Sequence, residues 1–128
     1  MDIDIEQARE LCLSLPQVEE SFPFDDVTLV MKVAGKMFAL IPLDSEKKVI
    51  ALKCDPDRSE HLRMHYEGIT GAFHMNKRHW NSVALDSDAP ADLIARLIRH
   101  SYALVVSKLP KYIRTQPPFD GVQEEQLV

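Results

Sequence analysis

The amino-acid sequence predicts an α+β domain, an antiparallel sheet of about five strands with helices packed on one face. Three observations carry that expectation. Apolar residues at helical spacing open the chain, two strand-like runs flank a glycine turn near residue 35, and a long helical pattern closes the body after a second helix and two more short strands.

Ile5, Ala8, Leu11, Cys12 and Leu15 share one side of a helical wheel, opposite Glu6 and Glu10, and predict a first helix that ends before Pro16. TLVMKV (Thr28–Val33) and KMFALI (Lys36–Ile41) flank Ala34-Gly35, a tight hairpin turn in which glycine takes positive φ. A two-residue loop groups Leu29, Met31 and Val33 with Phe38 and Leu40. The other face then carries Thr28, Val30, Lys32, Met37, Ala39 and Ile41, half apolar and a candidate contact surface. A third strand follows at Lys47–Lys53. Asp55-Pro56 starts a second helix, acid at the N-cap and proline in the first turn, which runs to about Tyr66 and stops at Gly68. Ile69–Met75 and Trp80–Leu85 read as short strands.

The final helix starts at Asp88-Ala89-Pro90 and reaches Leu109-Pro110. Its wheel sets Ile94, Leu97, Ile98, Tyr102, Leu104, Val105 and Leu109 against Arg96, Arg99, His100 and Ser107. Residues 1–114 are expected to form a single domain, and residues 115–128, with Pro117-Pro118 and an acidic end, a weakly ordered tail.

A hydrophobic share of 45% and a charged share of 27% exclude wholesale disorder. No apolar run approaches the ~20 residues of a membrane-spanning helix, and the acidic start lacks a basic-then-apolar leader pattern. Two cysteines, Cys12 and Cys54, without any CxxC pairing fit a reduced, cytoplasmic protein. The net charge of −5 speaks against a general nucleic-acid coat protein, yet the charge is uneven. Residues 1–26 carry eight acids and one base (−7), residues 27–114 fourteen bases and nine acids (+5), and the rest three acids (−3).

The densest chemistry lies in HMNKRHWNSV (His74–Val83). His61 and His65, four apart on the second helix, have the spacing of paired zinc ligands, with His74 or His79 as a third. The pair lacks the glutamate of HExxH, so ordinary surface histidines are the better reading and no metal or cofactor is expected. For catalysis, Cys54, Ser82, Ser101 and Tyr102 are candidate nucleophiles, with His74 or His79 as base. Cys54 precedes a helix N-terminus, where the dipole lowers a thiol pKa. Ser101 sits on the apolar arc of the last helix, where a hydroxyl commonly bonds back to the carbonyl four residues earlier. No nucleophile elbow, phosphate loop or carboxylate pair is present, so an enzyme is not expected. Nucleic-acid contact asks for less. Lys77 and Arg78 can meet phosphates, Asn76 and Asn81 can bond phosphates or base edges, and Trp80 or Phe73 could stack on bases. Trp80 reads as a core residue and Asn76 equally as a turn residue bonding its own backbone.

The segments LPQVEESFPFDD (Leu15–Asp26), VAGKMFALI (Val33–Ile41), LKCDPDRSEHLR (Leu52–Arg63), GAFHMNKRHWNSV (Gly71–Val83) and HSYALVVSKLPK (His100–Lys111) resemble the MmcQ/YjbR family. The resemblance implies a CyaY/frataxin-like fold and a DNA-binding assignment that rests on fold analogy to a double-winged arrangement. It marks His74, Met75, Asn76, Lys77, Arg78, His79 and Trp80, with Lys53, Ser101 and Tyr102, and supplies no catalytic residue.

The leading expectation is a small monomeric protein that contacts DNA weakly and without sequence preference. The contacts would come from Lys77, Arg78, Asn76, His74, His79, Lys53, Lys36 and Lys32, with Trp80, Met75, Ser101 and Tyr102 as structural residues. Two alternatives stand beside it. One is a frataxin-like metal handler using the acidic first segment; the other is a protein- or small-molecule-binding module on the half-apolar sheet face.

Overall fold

The computed structural model describes residues 3–72 and 75–122. A capping box starts α1 (Ile5–Leu13): the Asp4 carboxylate accepts from Gln7 N–H at 2.7 Å while the Gln7 side chain accepts from Asp4 N–H at 3.0 Å. Gln17, at φ 61°, turns the chain into β1 (Val18–Ser21). β2 (Thr28–Val33) and β3 (Lys36–Pro42) form the hairpin, with Ala34 at φ 49° and Gly35 at φ 78°. Two successive positive φ values are the turn that matches strand twist.

β4 (Val49–Lys53) leads into α2 (Pro56–His65), β5 (Ile69–Gly71) and β6 (Trp80–Ala84) follow, and α3 (Ala91–Ser107) closes the body. A short helix α4 (Lys111–Arg114) and a 3₁₀ turn (Phe119–Gly121) come last. All strand pairs are antiparallel in the order β1-β2-β3-β4-β6-β5. The α+β architecture is as the sequence predicts, with six strands among the described residues rather than five. The extra one, β1, is an edge strand of sequence VEES. It is paired on one side only, so no alternating apolar pattern marks it, and its exposed acids suit an edge that must not recruit another chain.

Residues directly opposite one another share a face of the sheet. Ala39 faces Met31 and Met37 faces Lys32, so Phe38 is the extra residue of a β-bulge. The bulge corrects the expected grouping. Leu29, Met31, Phe38, Ala39 and Ile41 all enter the core beneath the helices, whereas Val30 and Leu40 face one another on the other side. Ala39 and Ile41 are fully buried and form no open contact face. From β4 and β6 the core takes Ile50, Leu52 and Val83, and from α3 it takes Leu93, Ile94, Leu97, Ile98, Tyr102, Val105 and Val106.

α3 is enclosed on more sides than its wheel indicates. His100, expected outward, is fully buried. Its Nε2 accepts from Asp55 N–H at 3.1 Å, so the β4–α2 junction closes over it. Within the expected tail, Phe119 is 8% exposed and joins the core cluster, which Val122 also touches.

Candidate nucleic-acid interface at the hairpin end

The register brings most of the cationic candidates to one end of the sheet. Val33 and Lys36 flank the hairpin turn, Lys53 ends β4 opposite Trp80 at the start of β6, and residues 75–79 enter β6 beside them. Since Ile50, Leu52, Asn81 and Val83 sit on the helix side, the alternating residues Lys53, Trp80, Ala51 and Ser82 take the face without helices, together with Lys32, Val30 and Leu40. Lys32 on β2 and Trp80 on β6 are three strand spacings apart, about 14 Å at ~4.8 Å each. Lys36 is exposed at the turn. The field is mixed, because Glu19 on β1 pairs directly opposite Lys32.

The connecting loop is held by its backbone. Asn76 Oδ1 accepts from Arg78 N–H at 2.9 Å, and its carbonyl accepts from His79 and Trp80 N–H at 3.1 and 2.9 Å. Cys54 N–H donates to the His79 carbonyl at 2.9 Å. From α2, Arg63 donates through Nε to Asn81 Oδ1 at 2.7 Å and through its terminal nitrogen to the carbonyls of Lys77 and Trp80. Ser59 completes the knot, donating to the same Asn81 oxygen at 2.8 Å. Asn81 is buried, so it is a structural acceptor and not a base-reading group.

The side chains of Asn76, Lys77, Arg78 and His79 remain exposed, and Met75 is half-buried. The Lys77 stem lies over Gly71, where an added Cβ would come within 3.0 Å of Lys77 Cγ. Lys77 and Arg78 line a shallow groove of about 250 Å³ with Pro56, Ser59, Glu60 and Arg63. Trp80 is only 6% exposed and carries the Lys53 ammonium 5.8 Å from its ring centroid. It anchors the loop and offers no stacking platform. His74 lies outside the described residues, as does Phe73.

Sequence reasoning missed Arg63, to which it gave no role. A signal was present: Ser59 and Arg63 are four apart on one helix face, and Asn81 is a polar residue at an inward strand position.

The second marked motif works inward. Ser101 Oγ accepts from Lys53 N–H at 2.9 Å and donates to the carbonyl of Phe38. It therefore bonds across from β4 to the bulge rather than back along its own helix as expected. Tyr102 donates to the Pro16 carbonyl at 2.6 Å and meets Phe38 edge-on, ring centroids 5.5 Å apart. Its burial pushes the phenol pKa up to about 12.

Burial also pushes the thiols of Cys12 and Cys54 up to about 12, and the Asp55 charge adds to the effect at Cys54. Desolvation thus overrides the helix dipole expected to activate Cys54. Several acids of the first segment are already engaged. Glu20 holds Arg9 at 2.6 Å, a pairing that lowers the Glu20 pKa. Asp25 accepts from Val27 and Thr28 N–H and is lowered by those bonds. Among the described residues no three His, Cys, Asp or Glu side chains gather to hold a metal ion, and no helix is long and apolar enough to cross a membrane.

Comparison with known proteins agrees with this architecture. The YjbR family model matches residues 13–104. Uncharacterized protein YbdF of Escherichia coli O157:H7 is 39% identical over 106 residues, covering 83% of this chain and 87% of that protein. YjbR of Escherichia coli K12 is 30% identical over 107 residues, covering 84% and 91%. The crystal structure of Deinococcus radiodurans protein DR2400, of domain type DUF419, matches with a TM-score of 0.83 at 36% identity over 95% of this chain and 96% of that one. A Pseudomonas syringae protein matches with a TM-score of 0.69 at 27% identity over 80% and 98%. The fold is thus an open antiparallel sheet of the DUF419 type, layered with helices. The chain belongs to the YjbR family.

Proposed function

We propose that this protein acts by binding rather than by catalysis, and that its partner is DNA, held weakly and without sequence preference at the hairpin end of the sheet. The observation that carries the reading is the gathering of Lys32, Lys36, Lys53, Lys77 and Arg78 at one end of a sheet, with the loop backbone tied down so that its side chains point outward. Lysines and arginines spread over about 14 Å span roughly four base-pair rises, enough for several phosphates. Phosphate contact of this kind positions without reading bases. The buried Trp80 and Asn81 leave little with which to read them.

Glu19, Glu60 and the net charge of −5 oppose a polyanion, which sets the expected affinity at about 10⁻⁴ to 10⁻⁶ M at physiological salt. Binding without catalysis is supported by the fate of three of the four candidate nucleophiles: the Cys54 thiol is raised by burial, and Ser101 and Tyr102 are spent on backbone partners. Amide NMR shifts on adding a duplex oligonucleotide test the location. They should concentrate at residues 32–36, 53 and 76–80 and fade as salt rises. Shifts confined to the α1 or α3 surface would overturn it.

A further inference from the structure

A second concave site lies on the helical layer, along α2. α2 runs away from the hairpin end and α3 runs back towards it, with a groove of about 500 Å³ between α2 and the first turns of α3. Arg58, His61, Leu62 and His65 line one wall at i, i+3, i+4 and i+7, a single stripe of α2. Asp92, Leu93 and Arg96 line the other wall, and Tyr66 and Pro90 complete the lining.

The two walls are tied together where α2 ends and α3 begins. The Asp88 carboxylate accepts from Glu67 and Gly68 N–H at 2.8 and 2.9 Å, which fixes the end of α2 against the start of α3. Ser87 donates to the Ala84 carbonyl at 2.8 Å and accepts from Ala89 N–H at 3.2 Å. A Cβ on Gly68 would fall 2.0 Å from Ser87 Oγ, so the two segments approach as closely as they do only because residue 68 is glycine.

The chemistry of the walls narrows the ligand. Leu62 and Leu93 present only their edges to the groove, 7% and 8% exposed, and Tyr66 and the His65 ring stand beside them, centroids 6.5 Å apart. Two guanidinium groups and two imidazoles face a single lining acid, Asp92, whose carboxylate lies 3.3 Å from Arg96. The volume falls in the range of small-molecule sites, roughly 300–1,000 Å³. A guanidinium fork matches a carboxylate, and an aromatic ring matches a short, ring-flanked apolar floor. We infer that this groove binds a small aromatic carboxylate, its ring against Tyr66 over the edges of Leu62 and Leu93 and its charge towards Arg58 and Arg96. The inference stands apart from the DNA reading and survives its failure.

The test is amide NMR on the full chain titrated with 2-naphthoate, with 2-naphthalenemethanol supplying the ring without the charge and acetate the charge without the ring. Saturable shifts at His61–Tyr66 and Leu93–Arg96 are expected, with a Kd of about 1 mM or tighter. Both controls should bind at least about fivefold more weakly, and Arg58→Gln with Arg96→Gln should weaken naphthoate by about tenfold. A preserved spectrum elsewhere in the double variant shows that its fold is retained; otherwise Arg96→Gln alone, whose ion-pair partner Asp92 is exposed, supplies the folded variant and should itself weaken naphthoate by about threefold. No saturable shift at about ten times the expected Kd would overturn the site. Equal binding of the neutral alcohol, or unchanged affinity in the double variant, would overturn the carboxylate.

Discussion

Two short segments are dense in polar side chains, and they use them in opposite ways. In His100–Tyr102 the side chains are consumed inward: one accepts at the β4–α2 junction, one bridges β4 and β3, and one reaches the link between α1 and β1. In Asn76–Trp80 the backbone is consumed, mainly by Arg63 and by Asn76 itself, and the side chains of residues 76–79 are left at the surface. Density of reactive residue types is the same clue in both places. Only the direction of the hydrogen bonds separates a structural motif from a candidate contact surface.

The comparison is broken most severely at Ser101. Replacing it with valine strands a buried N–H on Lys53 and a carbonyl on Phe38, each costing about 1–3 kcal/mol, and crowds the core beside Tyr102. A loss of about 4 kcal/mol is expected in urea denaturation; a loss below about 1 kcal/mol would mean that water replaces both bonds. Phe119→Ala comes next. Its ring is buried at the edge of the core, so about 3 kcal/mol is expected, the low end of such truncations. Cutting the chain after Thr115 should cost at least as much, and a thermal midpoint unchanged within about 2 °C would show that the ring does not dock.

At the other segment, Arg63→Met removes the charged donor from Asn81 and two carbonyls, at about 2 kcal/mol. Its sharper signature is local: amide exchange at His79 and Trp80 should accelerate far more than at Ser101. Uniform acceleration would deny the loop its own anchor.

The smallest effect is acid sensitivity. Asp88, Asp25 and Glu20 have folded pKa values lowered mainly by hydrogen bonds from backbone N–H groups or Arg9. A lowered folded value contributes stability that is present above the unfolded pKa, near 4, and is lost as pH falls through the folded value. Asp88→Asn should therefore flatten the stability profile below about pH 4 and leave its neutral part sloped as before. A profile as steep as that of the parent would show that Asp88 gains nothing from Glu67 and Gly68.

Much of this was legible beforehand, for physical reasons that also mark where legibility stopped. The Ala34-Gly35 turn was readable because few sequences tolerate two positive φ values in succession. α2 was readable from its proline and acid start, with the Asp55 carboxylate accepting from Asp57 N–H at 3.0 Å. Faces beyond the turn were not, because a bulge adds one residue and flips every side chain after it; no residue type announces Phe38 as the extra one. β1 escaped because an edge strand needs no apolar alternation. His100 escaped because a wheel assigns one apolar arc, while α3 is enclosed where the β4–α2 junction crosses it. At the candidate interface, Lys77, Arg78 and Asn76 were readable as surface and turn residues, whereas the Arg63–Asn81–Ser59 knot depends on a helix and a strand distant in sequence.

The central claim, that the outward cations of the hairpin end form a phosphate-binding surface, is tested most directly by fluorescence anisotropy with a labelled duplex at two salt concentrations. With three to five cations engaged, log K should fall against log salt with a slope of about −3 to −4.5. Replacing Lys77 and Arg78 together with alanine should weaken binding to every sequence alike and flatten that slope by nearly two. Absence of binding at about 100 μM protein and low salt, or a slope that the double substitution leaves unchanged, would contradict the account.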